Sequence, residues 1–211
     1  MIPKTIQNKL DEGRQYRRVM DIEVGDEMIV EGYASTFNQP YELYRDGDYI
    51  VYEQIDARAF DETDMSDVIM QYNHEGRVFA RNSNGTLTLT SDEKGLRIRA
   101  DLGGTEIGRQ LYEEIKGGYT DKMSFGFRVG EDRREITENA DNITVMRTIT
   151  KIEKLYDVSA VSLPANDATS ISARNSGEGV IAEVKQELLA QEQRERQKQK
   201  IRILTEVQNG N

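Results

Sequence analysis

The sequence predicts a mainly β protein with helices added, an α+β fold whose antiparallel strands close into a barrel or pack as a sandwich. Three observations lead there. Short runs rich in Val, Ile, Thr, Tyr and Phe recur along the chain, and clusters of Gly, Asp and Asn separate them. Helical periodicity stands out over one stretch of a dozen residues and, more weakly, over one shorter stretch.

The elements follow in order. Arg18–Val24 and Met28–Thr36 read as strands joined by Gly25-Asp26-Glu27 as a tight hairpin turn. Tyr49–Ile55 is a further strand, preceded by Tyr44-Arg45-Asp46-Gly47-Asp48 as a turn; two aspartates in a turn are cation ligands in some proteins and solvated turn residues in most. Asp56–Thr63 predicts a short helix with Ala57, Ala59 and Phe60 on its apolar side, and Val68–Tyr72 a strand running into Asn73-His74. Thr86–Thr90 and Leu96–Leu102 form a second hairpin around Ser91–Gly95. In its later strand Leu96, Ile98, Ala100 and Leu102 alternate with Arg97, Arg99 and Asp101, the period of a half-buried strand. Thr105–Lys116 is the strongest helix, because Ile107, Leu111 and Ile115 fall four apart and Gly117-Gly118 ends it. A strand through Ser124 follows, then a charged loop from Gly130 to about Asp141, then Ile143–Thr150 and Lys151–Leu163 as two strands and Pro164–Asp167 as a turn.

Composition divides the chain. Hydrophobic residues make up 36% and charged ones 31% of the 211, and the apolar ones cluster between about positions 19 and 173. We therefore expect an N-terminal extension over 1–16, a folded core over 17–175, and a charged C-terminal tail over 176–211. The tail has helix-forming composition, but from Gln191 to Lys200 there is no apolar residue, so a helix there has no face to bury, and the tail is expected to be helix-prone or disordered and solvated.

The same composition narrows the chemistry. With no cysteine, a disulfide framework, a cysteine zinc site and a thiol nucleophile are all excluded. One histidine is too few for the usual metal centres, and no cofactor motif is present, so neither a metal nor a cofactor is expected. A net charge of −10 argues against nucleic-acid binding. No run approaches the roughly 20 apolar residues that span a bilayer, and the first residues lack a signal-peptide core, which predicts a soluble intracellular protein without a membrane partner.

Three segments can carry chemistry. His74 is the one side chain whose ordinary pKa lies near neutrality, and it sits at a strand end from which it can project into a cleft; a surface histidine fits the same pattern. In Lys122-Met123-Ser124-Phe125-Gly126-Phe127 the serine points away from the apolar stripe, next to Gly126, whose missing side chain leaves room for a substrate backbone. Ser124 reads as a nucleophile or as a structural hydroxyl, and Lys122 or Lys116 is an alternative base. In Leu155-Tyr156-Asp157-Val158-Ser159-Ala160-Val161 a carboxylate interrupts an apolar strand. Burying it unpaired costs several kcal/mol, so a partner is expected: a histidine N–H, a backbone amide, or Arg99 or Arg128.

Taken in order, five pieces form one pattern: Gly32-Tyr33-Ala34-Ser35-Thr36-Phe37-Asn38; Glu53-Gln54-Ile55 leading to Ala59-Phe60; Asn73-His74; Lys122–Phe127; and Asp157-Val158-Ser159-Ala160-Val161-Ser162-Leu163-Pro164-Ala165-Asn166. This pattern resembles the prohead maturation serine proteases of tailed phages, distant relatives of the herpesvirus assemblins, over roughly Val19 to Ala173. The resemblance implies an assemblin-like barrel with Ser124 as nucleophile, His74 as base and Asp157, where such proteins often carry glutamate, as third member. It further implies an endopeptidase that cuts scaffold, or scaffold-like parts of the major capsid protein, and itself, inside the assembling procapsid in the host cytoplasm. A homodimer follows by analogy with assemblins. The oxyanion-hole candidates are a backbone N–H near Ser124 and the pair Arg133-Arg134, which reads equally as solvated. The alternative is a non-catalytic assembly protein that binds scaffold.

Overall fold

One strand organises the sheet. β10 (Ile143–Val161) runs nineteen residues, and its antiparallel partner β9 (Lys122–Glu138) runs seventeen. The computed structural model describes residues 8, 9, 12–25, 27–162 and 167–209. Before this pair come β1 (Gln15–Val24), β2 (Ile29–Thr36), β3 (Tyr41–Asp46), β4 (Tyr49–Ile55), β5 (Ile69–Tyr72), β6 (Glu75–Arg81), β7 (Leu87–Ser91) and β8 (Gly95–Asp101). Helix α1 (Glu106–Lys116) precedes β9, and helix α2 (Asp167–Asn209) follows β10.

The hydrogen-bonded order is β3-β4-β10-β9-β1-β2-β8-β7, with β5 on the far part of β10 and β6 on β5. The sheet is mixed, because β10 runs parallel to β4 through residues 143–149 and parallel to β5 through 157–160. It is also open, so the expected closed antiparallel barrel does not form. The end strands β3 and β7 are short and do not pair with each other. Closure would require β3 to meet β7, and α2 instead lies along β3, β4 and β1.

Between the stretches facing β4 and β5, β10 shifts register four times from Ile149 to Asp157. Its free edge there is completed by residues 56–64, which form turns and not the expected helix. Asp56 N donates to Ile149 O, Ile152 N to Ala59 O, Asp64 N to Glu153 O and Leu155 N to Asp64 O. Backbone pairing with a bulged strand has overridden the segment's weak helical pattern, while Ala59 and Phe60 still enter the core.

Three further boundaries differ from expectation. The turn placed at 44–48 shrinks to Gly47-Asp48, since β3 continues through Asp46. The charged loop after Val129 is the outer half of β9, and the two strands expected after it are the single strand β10. The turn expected at Pro164–Asp167 falls largely outside the described residues.

The C-terminal region is a helix and its first half is packed. Val180, Ile181 and Val184 are buried against Leu43, Val51 and Val145, forming a second apolar cluster beside the main core. Full burial of such side chains is worth roughly 1.5–3 kcal/mol each, which anchors a helix that has no apolar residue from Gln191 to Lys200. Gly177 lets the helix touch the sheet: a Cβ there would lie 2.2 Å from Tyr44 Cβ. α1 behaves as its pattern predicts. Thr105 Oγ1 accepts from Gly108 N at 3.1 Å as N-cap, and Leu111, Tyr112 and Ile115 are buried.

A buried charge cluster ties β1 to the middle of the sheet. Arg17 Nε donates to Glu53 Oε1 at 2.5 Å and Arg147 Nη1 to Glu53 Oε2 at 2.8 Å; Arg147 Nε also donates to Asp132 Oδ2 at 2.6 Å. Tyr41 Oη adds a fourth bond, donated to Glu53 Oε1. Burial alone would raise the Glu53 carboxyl, but the charges of Arg17 and Arg147 and the hydrogen bonds donated by Arg17 and Tyr41 hold it below the ordinary carboxylate range.

Candidate active site

His74 occupies the second position of a two-residue turn between β5 and β6, closed by the Tyr72–Glu75 pair. Asn73 and His74 have φ of 51° and 62°, the double left-handed geometry of a type I′ hairpin. Asparagine and histidine are among the few non-glycine residues that tolerate it. The turn is pinned to the end of β10: Asn73 N donates to Ala160 O at 2.9 Å, and Ser162 N donates to Asn73 Oδ1 at 3.3 Å. Lys9 Nζ donates to the His74 carbonyl at 2.7 Å. The imidazole therefore points inward from a tight turn, where the sequence suggests only a strand end.

Ser124 lies in β9 between β10 and β1, opposite Ser159 on one side and Arg18 on the other. Asp157 lies on β10 opposite Gly126. Cross-strand partners share a face, so Ser124, Gly126, Asp157 and Ser159 form one polar patch. Met123, Phe125 and Phe127 fill the core behind it, the two phenyl rings stacked with centroids 4.6 Å apart.

The three side chains meet. His74 Nε2 is 2.7 Å from Ser124 Oγ, and His74 Nδ1 is 2.5 Å from Asp157 Oδ1. Ser159 Oγ donates to the same carboxylate oxygen at 2.8 Å, so Asp157's partner is the imidazole; Arg99 and Arg128 pair elsewhere, with Glu31 and Glu153. Burial would raise the Asp157 pKa, but the neighbouring His74, with the hydrogen bonds from His74 and Ser159, holds it below its ordinary value. An ionised Asp157 accepts the Nδ1 proton, which leaves the Nε2 lone pair of a neutral ring facing the serine hydroxyl. The nitrogen in contact with Ser124 Oγ is thus that of an imidazole, while Lys122 Nζ pairs with Asp121.

Two expectations change. The space left by the missing Gly126 side chain is taken from within the protein: a Cβ there would lie 2.4 Å from Asp157 Oδ2 and 2.7 Å from Tyr16 Cε1. Arg133 and Arg134 lie nine and ten residues from Ser124 along an extended strand, roughly 30 Å away at strand rise, and Arg134 pairs with Glu183 of α2. They are too distant to serve as oxyanion donors.

Several neighbours had no sequence signal strong enough to single them out. Tyr16, assigned to an extension outside the core, packs against the imidazole with ring centroids 4.4 Å apart and the planes tilted by 57°. Arg17 offers its carbonyl to Ser124 Oγ at 2.9 Å. Ser159 was detectable in principle, two residues from Asp157 and therefore on the same strand face. Ser124 and His74 are both 0% exposed and Asp157 is 1% exposed. Among the described residues no cluster of His, Cys, Asp and Glu is arranged to hold a metal ion, and no helix is long and apolar enough to cross a membrane.

Comparison with known proteins bears on this arrangement. A family model described as caudovirus prohead serine protease matches residues 16–187. The prohead protease of Enterobacteria phage HK97 is 31% identical over 157 residues, an alignment covering 74% of this chain and 64% of that protein, so the chain spans a little under two thirds of that relative's length. Among solved structures, the bacteriophage T4 capsid assembly protease is similar over 70% of this chain and 98% of its own, at 13% identity and a TM-score of 0.38, a likeness too loose to carry an argument.

Proposed function

Since the chain belongs to the caudovirus prohead serine protease family, we propose that it is a serine endopeptidase of phage capsid maturation in which Ser124, His74 and Asp157 act together. The observation that carries this reading is the single imidazole of the chain bridging Ser124 Oγ at 2.7 Å and Asp157 Oδ1 at 2.5 Å.

Ser124 Oγ attacks a peptide carbonyl carbon as its proton passes to His74 Nε2. The tetrahedral intermediate then expels the amine, which takes that proton, and leaves an acyl-serine. Water, deprotonated by the same nitrogen, releases the acid and restores the serine. Asp157 holds the ring in the Nδ1–H tautomer and offsets the positive charge it acquires, and Ser159 holds Asp157. The substrates are scaffold or the scaffolding segments of the major capsid protein, reached inside the procapsid in the host cell. The enzyme cleaves its own chain there as well, and it works as a homodimer.

Co-expression with the cognate capsid and scaffold proteins, read by intact mass, tests this. Wild type yields shortened products, and Ser124→Ala or His74→Ala brings cleavage to near background, since base assistance alone is worth about a hundred- to ten-thousandfold. Cleavage that persists with Ser124→Ala would sink the assignment.

A further inference from the structure

The side chains proposed to do the chemistry are sealed, and the seal is made by the chain's own backbone. Gln15–Arg18 pairs antiparallel with Phe127–Ser124 and occupies the whole β1-facing edge of β9 at the nucleophile. Past Arg18 the register breaks before pairing resumes at Asp21 with Lys122. On the other side β9 is paired with β10, so no edge beside Ser124 is open to another polypeptide. Lys9 bonds to the His74 carbonyl, the Arg14 guanidinium lies 3.7 Å from the centroid of the Tyr156 ring, and Tyr16 covers the imidazole.

A count of protons shows what this does to the serine. Ser124 carries one hydroxyl hydrogen, and two acceptors compete for it: His74 Nε2 at 2.7 Å and the Arg17 carbonyl at 2.9 Å. A peptide carbonyl of an extended, strand-paired segment therefore already stands at the nucleophile. Asp157 Oδ2, buried against Tyr16, has no hydrogen-bond partner among the described residues.

Building on the proposed peptidase reading, we propose that substrate is received as a β-strand added to β9 along Ser124–Phe127, in the place now held by Gln15–Arg18. The first part of β1 is then an internal stand-in that has to leave before a substrate enters. The ligand class is an extended polypeptide recognised through its main chain, which β-strand addition provides. Displacement of β1 also frees those N–H groups of β9 that point toward it, and these are the donors available for a developing oxyanion. The stand-in is held by the Arg17–Glu53 pair at one end and by the Lys9 and Arg14 contacts at the other.

The test is the rate at which a fluorophosphonate labels Ser124 in the full chain, with Ser124→Ala as blank. Wild type labels slowly. Glu53→Gln, which loosens Arg17, labels at least tenfold faster. Because that change removes a buried charge and can harm folding, Lys9→Ala combined with Arg14→Ala, at the partly exposed end, serves as second variant and accelerates in the same direction. A synthetic peptide copying Glu12–Met20 slows labelling of the loosened double variant by taking the vacated edge. Equal rates in wild type and the double variant, or a peptide without effect, overturn the proposal. If capsid protein is still cleaved in a Ser124-dependent way, the peptidase reading survives that result; if neither labelling nor cleavage occurs, both fall.

Discussion

A methyl group on Gly126 would collide with Asp157 Oδ2 and the Tyr16 ring, so the carboxylate reaches the imidazole only because residue 126 has no side chain. Gly126→Ala should push Asp157 out of line with His74. Overpacking of this kind costs about 1–3 kcal/mol in stability, and loss of the orienting carboxylate lowers turnover by up to about 10⁴-fold; urea unfolding and cleavage kinetics on one preparation separate the two effects. Glu53 provides a pH signature. Its folded pKa is depressed, so its contribution is fully present above the unfolded value of about 4.3 and is lost as pH falls through the folded value. Glu53→Gln should be less stable by about 3–5 kcal/mol near neutrality, because two arginines lose their shared carboxylate. Denaturation curves from pH 7 to pH 3 should show that gap narrowing as acid is added.

The elements that were legible in the sequence are those whose pattern is set by one face. β8 alternates as Leu96, Ile98 and Ala100 against Arg97, Arg99 and Asp101, and α1 repeats every fourth residue; both appear as expected. The outer part of β9 reads as a charged loop because its polar side chains are satisfied in ways that sequence spacing does not show: Asp132 bonds to Arg147 across the ribbon, and Arg134 to Glu183 of α2. The helix-forming composition of α2 was visible, but its packing against the sheet was hidden for a related reason. Its buried stripe of Val180, Ile181 and Val184 covers little more than one turn, while the polar run after Leu189 dominates the composition. Val184→Asp should detach this helix, since an unpaired carboxylate replaces an apolar contact. Amide exchange over residues 177–190 should then rise strongly, while exchange in β9 near Ser124 stays close to wild type.

At the scale of the molecule, the proposed site was legible because one imidazole and no thiol left few chemical options, and their convergence is set by pairings that no local pattern encodes. Asp157 faces Ser124's side of the sheet only after four register shifts in β10, along the stretch whose other edge is filled by residues 56–64, some ninety positions earlier in the chain. The two apolar clusters are joined by the same continuous strands, β4 and β10, which contribute Val51 and Val145 to one and Ile55 and Leu155 to the other. Unfolding should therefore be cooperative: aromatic and far-ultraviolet signals should share one thermal midpoint, with calorimetric and van't Hoff enthalpies equal. Two separated transitions would show that the clusters fold independently.

The Asn139–Asn142 turn caps the β9–β10 ribbon, closed by Asn139 N donating to Asn142 O, and its residues are largely solvent-facing. From Glu138 back to Ser124 is fourteen residues, somewhat under 50 Å of extended chain at about 3.4 Å per residue. A dye or short epitope grafted onto that tip would stand clear of both the sealed edge and the reacting atoms. It offers a handle for following individual molecules while the residues around Ser124 stay undisturbed.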